Sequence, residues 1–227
     1  MLDLQVLAGG VIVSCQARSD NPLHGPQFMR AFALAAEMGG AVGIRAEGIA
    51  DISAIRSAVQ IPIIGIKKIL DGRPVYITPT FEAAASVVAA GSDIVAIDAT
   101  HRPRVDGPPA SELIKRIREE LGVRVMADVD DLSSGIAAAS AGADLVATTL
   151  AGYTTSPTPQ EPDFAVITAL ANSVGIPVIA EGRMWAPEDV ARAFGAGAFA
   201  VVVGTAITNP WKITERIVRA SPRGNRH

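Results

Sequence analysis

The sequence predicts an α/β chain closed into a single-domain (β/α)8 barrel of the TIM type, and three observations carry that prediction. The 227 residues lie close to the roughly 250 that one such barrel takes. Eight short runs rich in Val and Ile alternate with longer, Ala-rich amphipathic runs. The short runs are apolar almost throughout, as parallel strands covered on both faces must be.

In chain order the strands are expected at residues 10–16, 41–46, 62–67, 93–99, 124–129, 144–150, 177–182 and 198–204. Helical runs fill the intervals, from GPQFMRAFALAAEMG to PEDVARAFGAG. Glycines stand where helices should stop before strands: Gly39-Gly40, Gly91, Gly122, Gly142, Gly175 and either Gly195 or Gly197. Residues 68–80, KILDGRPVYITPT, exceed a usual βα loop, contain a strand-like VYIT and read as an excursion over the barrel mouth. A second long loop, residues 152–162, is polar and rich in proline. A last helix is expected over Pro210–Val218, with Trp211, Ile213 and Ile217 facing this barrel or a neighbour. Residues 1–220 are expected to form the barrel, and 221–227 a disordered tail.

Composition narrows the functions. A net charge of −3 gives no basic field for nucleic acid or for an anionic membrane, while leaving room for a local basic pocket. The one cysteine, Cys15, cannot close an intrachain disulfide, which favours a reducing compartment, the cytoplasm. No apolar stretch reaches the roughly 18 residues needed to span a bilayer, and the N-terminus lacks the pattern of a signal peptide, so neither secretion nor an anchor is expected. Three histidines, one of them His227 in the tail, and a lone cysteine offer no zinc-ligand spacing, and a packing role is expected for Cys15.

In barrels of this kind the active site lies at the C-terminal strand ends. Polar residues gather there: Gln16, Arg45, Lys67-Lys68, Asp98 with Thr100 and Arg102, Asp128, Thr148-Thr149 with Tyr153, Glu181 with Arg183, and Gly204-Thr205. Adjacent residues of a strand point to opposite faces, so only one of Lys67 and Lys68 can enter the barrel mouth, and spacing alone does not choose. Glu181 follows VIA and precedes Gly182, which marks it as a functional carboxylate. Residues 177–210 bring Glu181, Gly182, Arg183, Gly204 and Thr205 to one corner, where the last two βα loops and a helix start commonly hold phosphate.

The phrases GGVIVSCQA, MGGAVGIRAEG, IPIIGIKK, DIVAIDATHR, VMADVDD, ATTLAGYT, IPVIAEGR and AFAVVVGTAIT occur in the same order in bacterial N-acetylmannosamine-6-phosphate 2-epimerases. The chain resembles that family from about Leu7 to Arg216. The resemblance implies interconversion of N-acetylmannosamine 6-phosphate and N-acetylglucosamine 6-phosphate in amino-sugar and sialic-acid catabolism, without metal or organic cofactor. It implies a homodimer, with a small amino-sugar phosphate as the molecule bound. By motif, Lys68 and Glu181 take the catalytic positions and Gln16, Arg45 and Asp128 those that contact the sugar. Tyr153 is added to the sugar-contacting group from its strand-end position. Gly182, Arg183, Gly204 and Thr205 match the phosphate end. Two departures stand out: GIKKILDG replaces a GIIKRDY-like pattern, and Asn209 stands where an arginine usually follows AIT. Asn209 before Pro210 is also a good helix N-cap with proline in the first turn.

Such an epimerase must deprotonate carbon 2 of an open-chain sugar and return the proton to the other face. Lys68 is expected as general base and Glu181 as its partner. A lysine base needs a proton affinity well below its free value of about 10.4. Arg45, Lys67 and burial would lower it and Glu181 would raise it, with the balance left open. A Schiff-base aldolase acting through Lys67 or Lys68, or a phosphosugar-binding barrel without activity, fits the same residues.

Overall fold

The computed structural model describes residues 1–105, 107–154 and 157–222. Eight parallel strands close into a barrel in sequence order: β1 (Val11–Cys15), β2 (Gly43–Glu47), β3 (Ile63–Ile66), β4 (Ile94–Asp98), β5 (Arg124–Asp128), β6 (Leu145–Ala147), β7 (Val178–Glu181) and β8 (Ala200–Val203). The ring shuts through β1 and β8, where Val11, Ile12 and Val13 face Val201, Val202 and Val203. Helices α1 (Pro26–Met38), α2 (Ile49–Arg56), α3 (Phe81–Ala89), α4 (Ala110–Arg116), α5 (Leu132–Ser140), α6 (Phe164–Ala171) and α7 (Pro187–Gly195) return the chain between strands. A short α8 (Thr205–Thr208) and a final α9 (Pro210–Arg219) follow β8. The predicted barrel is the observed one.

Alternation along the strands divides the core. Outward residues such as Val13, Ile44, Ile63, Val95, Val125 and Val146 pack with α1 to α6 into one large cluster. Inward residues Ile12, Ile64, Ile66, Ile94, Ala96, Met126, Leu145, Ala147, Ile179, Ala200 and Val202 fill the barrel as a second cluster. This is the period of two of a strand seen from both sides. Leu7, on a 3-10 turn over Leu4–Leu7, plugs the bottom of that interior. Gly43 makes room for it, because a Cβ there would stand 3.1 Å from the Leu7 Cδ2.

The differences from the sequence reading have local causes. The sixth strand stops at Ala147 and a 3-10 turn, Thr148–Leu150, follows. There the Thr148 hydroxyl replaces the ladder: it accepts from the Glu181 N–H at 3.0 Å and donates to the Glu181 carbonyl at 2.9 Å. Of the two candidate glycines before β8, Gly197 makes the turn, at φ +97°, a conformation that side chains disfavour. The VYIT segment forms no strand of its own. It folds back along the end of β3, with Ile69 N–H donating to the Tyr76 carbonyl (3.0 Å) and Thr78 N–H to the Lys67 carbonyl (2.8 Å).

At the C-terminus Asn209 caps α9 as expected, its Oδ1 accepting from Lys212 N–H at 3.2 Å with Pro210 in the first turn. No residue of α9 is buried, and Trp211, Ile217 and Val218 are exposed. Of the expected tail, Ser221 closes on the Val218 carbonyl at 2.9 Å, and residues 223–227 lie outside the described residues. Among the described residues no helix is long and apolar enough to cross a membrane.

Candidate active site

The same alternation that packs the interior delivers the site. Continuing each inward row upward leads to Gln16 from Ile12, to Lys68 from Ile64 and Ile66, to Asp128 from Met126, to Thr149 from Ala147 and to Glu181 from Ile179. On β2 the row is Gly43, Arg45 and Glu47, in register with Ile12, Ser14, Ile64 and Ile66. The row through Ile64 and Ile66 selects Lys68 over Lys67. Above the apolar plug Gln16, Arg45, Lys68, Thr149 and Glu181 line a cavity of about 530 Å³ at the C-terminal strand ends.

Arg45 is the hub of that cavity floor. Its side chain is 1% exposed, yet Nη2 lies 2.5 Å from Asp128 Oδ2 and Nη1 lies 2.7 Å from Glu181 Oε2. Nη1 also donates to Asp128 Oδ1 at 2.9 Å and to Thr149 Oγ1 at 3.2 Å. Thr149 Oγ1 lies 2.6 Å from Asp128 Oδ1 and 3.1 Å from Glu181 Oε2. Burial works against the guanidinium charge, and Asp128 and Glu181 together outweigh it, so Arg45 stays cationic. Its Nε is buried without a hydrogen-bond partner among the described residues.

Glu181 has the opposite problem. Burial pushes its carboxyl above the usual range, against the pull of Arg45, while the nearby Asp128 charge pushes the same way as burial. Its contacts all use Oε2, leaving Oε1 without a hydrogen bond among the described residues. Lys68 stands two residues past the end of β3, half the circumference of an eight-stranded barrel away from β7. Its Nζ donates to Gln16 Oε1 at 2.6 Å, and Gln16 Nε2 in turn donates to Ser14 Oγ at 2.8 Å. Burial holds the Lys68 amine below the ordinary lysine range. Glu47 opposes, Arg45 lowers it further, Glu181 opposes, and Arg18 lowers it again. Burial with the Arg45 and Arg18 charges outweighs Glu47 and Glu181, so Lys68 gives up its proton more readily than an ordinary lysine, with Arg18 rather than Lys67 as the second cation.

Comparison with known proteins adds a second line of evidence. Residues 29–222 match the family model described as "Putative N-acetylmannosamine-6-phosphate epimerase". The chain belongs to this family. A relative from Caldanaerobacter subterraneus subsp. tengcongensis, named "Putative N-acetylmannosamine-6-phosphate 2-epimerase", is 51% identical over 218 residues, covering 95% of this chain and 92% of its own. One of the same name from Cutibacterium acnes is 49% identical over 211 residues, covering 92% of each chain. The solved N-acetylmannosamine-6-phosphate 2-epimerase from Clostridium perfringens superposes with a TM-score of 0.90 at 42% identity, over 95% of this chain and 94% of that one.

The residues matched to the family's phosphate end lie on the β7 and β8 side of the cavity. Gly182, Arg183, Gly204 and Thr205 all line it. Thr205 and Ala206 begin α8, where a helix offers N–H groups with no intrahelical acceptor. Gly204 lets β8 run close to β1, since a Cβ there would stand 3.2 Å from the Ser14 Cβ. Arg183 is differently placed from a free phosphate ligand. Its Nη1 donates to the Ala151 carbonyl at 2.8 Å and its Nε to the Glu161 carbonyl at 2.6 Å. Its guanidinium also stacks 5.0 Å from the Tyr153 ring centroid. Arg183 thus ties both ends of the loop after β6 to its own turn, where it holds φ +60°. Tyr153 lines the cavity while remaining half exposed.

Other expected residues have structural tasks. Asp98 is fully buried at the end of β4, but its carboxylate is spent on the Thr100 hydroxyl (2.8 Å) and Arg102 Nη2 (2.5 Å). Cys15 faces outward into the main core, and burial pushes its thiol up to about 12, so it is a packing group. Glu47, Tyr76 and Arg18 went unnoticed in the sequence. Glu47 was legible in principle, two residues after Arg45 on the inward row, and its Oε1 accepts from the Lys68 N–H at 3.3 Å. Tyr76 and Arg18 line the cavity from loops, where no periodicity announces a direction. Among the described residues no group of three or more His, Cys, Asp or Glu side chains converges as a metal-holding cluster.

Proposed function

We propose that this chain interconverts N-acetylmannosamine 6-phosphate and N-acetylglucosamine 6-phosphate by moving a proton at carbon 2. The relatives named above carry that activity in their names. One geometric observation supports it most directly: Lys68 and Glu181 reach one cavity from β3 and β7, opposite walls of the barrel. An acid and a base on opposite faces of one carbon can invert it, and the proton affinities of these two groups are shifted toward each other.

With the sugar open, the free amine of Lys68 takes the hydrogen on carbon 2 as a proton. The electron pair of that C–H bond forms the C1–C2 double bond, and the aldehyde oxygen at C1 becomes negative. Glu181, carrying a proton on its carboxyl, then delivers it to the other face of carbon 2. In the reverse direction Glu181 is the base and the Lys68 ammonium the acid. Arg45 and Thr149 hold Glu181 in place through Oε2, leaving Oε1 for the proton. Gln16 fixes the Lys68 amine, and Asp128 keeps Arg45 charged and seated. The phosphate rests on the Gly182, Gly204 and Thr205 backbone with Arg183 closing the loop around it. Tyr153 meets the sugar from the loop side. Binding energy from that remote group helps to hold the open chain.

In this reading the enzyme serves amino-sugar and sialic-acid catabolism in the cytoplasm as a homodimer, with the exposed apolar residues of α9 available to a second copy. The test is direct. The protein is mixed with N-acetylmannosamine 6-phosphate in D2O, and deuterium at carbon 2 and formation of the epimer are followed by NMR. Folded protein that yields neither overturns the reading. Borohydride added during turnover is expected to leave no sugar on Lys68, since proton transfer needs no covalent adduct.

A further inference from the structure

Arg18 lies in the connection between β1 and α1 and lines the catalytic cavity. Its backbone is held in place. The Arg18 carbonyl accepts from Asn21 N–H at 2.9 Å, Asn21 Oδ1 accepts from Leu23 N–H at 2.9 Å, and Asn21 Nδ2 reaches Asn209 Oδ1 at 3.4 Å. The guanidinium itself has no hydrogen bond or ion pair among the described residues. That sets it apart. The other described arginines, Arg30 excepted, are each engaged by a carboxylate, a backbone carbonyl or an aromatic ring. Arg30 does not line the cavity.

The reaction creates a need that Arg45 and Gln16 leave unmet. Deprotonation at carbon 2 places negative charge on the C1 oxygen, and donors aimed at such an oxygen are a main source of rate. Both Nη groups of Arg45 are committed to Asp128, Glu181 and Thr149. The Gln16 amide nitrogen donates to Ser14. Arg18 offers an uncommitted planar fork of N–H donors, suited to an anionic oxygen. Its charge is felt by Lys68 and by Tyr76, which line the same cavity.

We propose that Arg18 is a further catalytic residue, its guanidinium closing over the Lys68 amine to bind the C1 oxygen that becomes negative in the reaction. The inference rests on the epimerase reading. The charges facing Lys68 are Glu47 and Arg45 from β2, Glu181 from β7 and Arg18 from the β1–α1 connection. Removing Arg18 leaves two carboxylates against one cation. The Lys68 amine then binds its proton more tightly, and the rise of activity with pH moves to higher pH.

The experiment compares the wild type with Arg18→Ala and Arg18→Lys, each checked for folding by circular dichroism. Carbon-2 exchange is measured across pH with N-acetylmannosamine 6-phosphate. In parallel, Lys68 is acylated without substrate by trace acetic anhydride across pH, with its yield read by mass spectrometry. Arg18→Ala is expected to lower kcat by at least about tenfold and to move both pH profiles to higher pH. Arg18→Lys is expected to restore the profiles and part of kcat. A kcat and profiles equal to wild type overturn the role. So does a rise in KM alone, the mark of an arginine that only holds the phosphate. Absence of exchange in the wild type overturns the epimerase reading and this role together, whereas exchange in the wild type with an unmoved Arg18→Ala overturns the role alone.

Discussion

Nη1 of Arg45 lies 2.7 Å from Oε2 of Glu181, and the same guanidinium grips Asp128 at 2.5 Å. One cation on β2 therefore holds carboxylates of β5 and β7 in a place that water barely reaches. Removing it strands two buried negative charges. Arg45→Ala is expected to destabilise the fold by about 3–5 kcal/mol, read as a lower urea midpoint. Arg45→Lys should recover little of this, because an ammonium cannot present two parallel N–H donors to Asp128.

Glu181→Gln keeps the shape of the side chain and its place against Arg45 but loses the acid. If Lys68 and Glu181 serve opposite faces of carbon 2, this variant still exchanges the hydrogen facing Lys68 with solvent in one epimer. It loses net epimerisation by about 10²–10⁴-fold. Lys68→Met should show the converse, exchange confined to the other epimer. NMR of each pure epimer in D2O separates the two outcomes, and exchange of both epimers by one variant would contradict the opposed-face assignment.

The pH dependence follows from the directions of the two shifts. Lys68 is held below the ordinary lysine value by burial. Between its folded and unfolded values the unfolded chain binds the extra proton, so its contribution to stability improves as pH rises through that window. Glu181 is held above the ordinary glutamate value by burial. There the folded chain keeps the extra proton, and its contribution is lost as pH rises through the folded value. The proposed mechanism needs a free Lys68 and a protonated Glu181 together, so under it kcat/KM should rise and then fall with pH. Lys68→Met should remove the gain in urea midpoint expected as pH rises toward the unfolded lysine value of about 10.4.

Arg183 reaches both the Ala151 and Glu161 carbonyls, so its removal frees the loop that carries Tyr153. Arg183→Ala is expected to raise KM by about tenfold or more, with increased proteolysis within residues 151–161. Unchanged proteolysis together with a raised KM would mean a direct phosphate contact without the loop-fastening task. Tyr153→Phe, which keeps the stacked ring, should leave the loop protected.

The barrel was legible because its strands are buried on both faces: alternation between β-branched and helical runs needs no knowledge of distant contacts. The same was true of Asn209 as a cap, whose partner Lys212 lies three residues on. Glu181 and Lys68 were legible as strand-end charges beside apolar rows. The limit came at loops and at shared partners. Glu47, Tyr76 and Arg18 escaped notice, and the hold of Arg183 on the loop carbonyls was not foreseen.

The amino-acid sequence by itself determined the order of eight strands and helices, the burial of Cys15 in the core and the gathering of carboxylates, lysine and arginine at one end of the barrel. Each of these follows from local periodicity, which acts over a few residues and survives without tertiary contacts. Only the tertiary structure decided that the Lys68 side chain turns into the cavity, that Arg45 binds Asp128 and Glu181 together, and that burial lowers the proton affinity of the lysine amine. Those outcomes depend on barrel closure, which brings residues 45, 128 and 181 within hydrogen-bond reach and removes them from water, where charge and burial compete over distances that chain spacing does not encode.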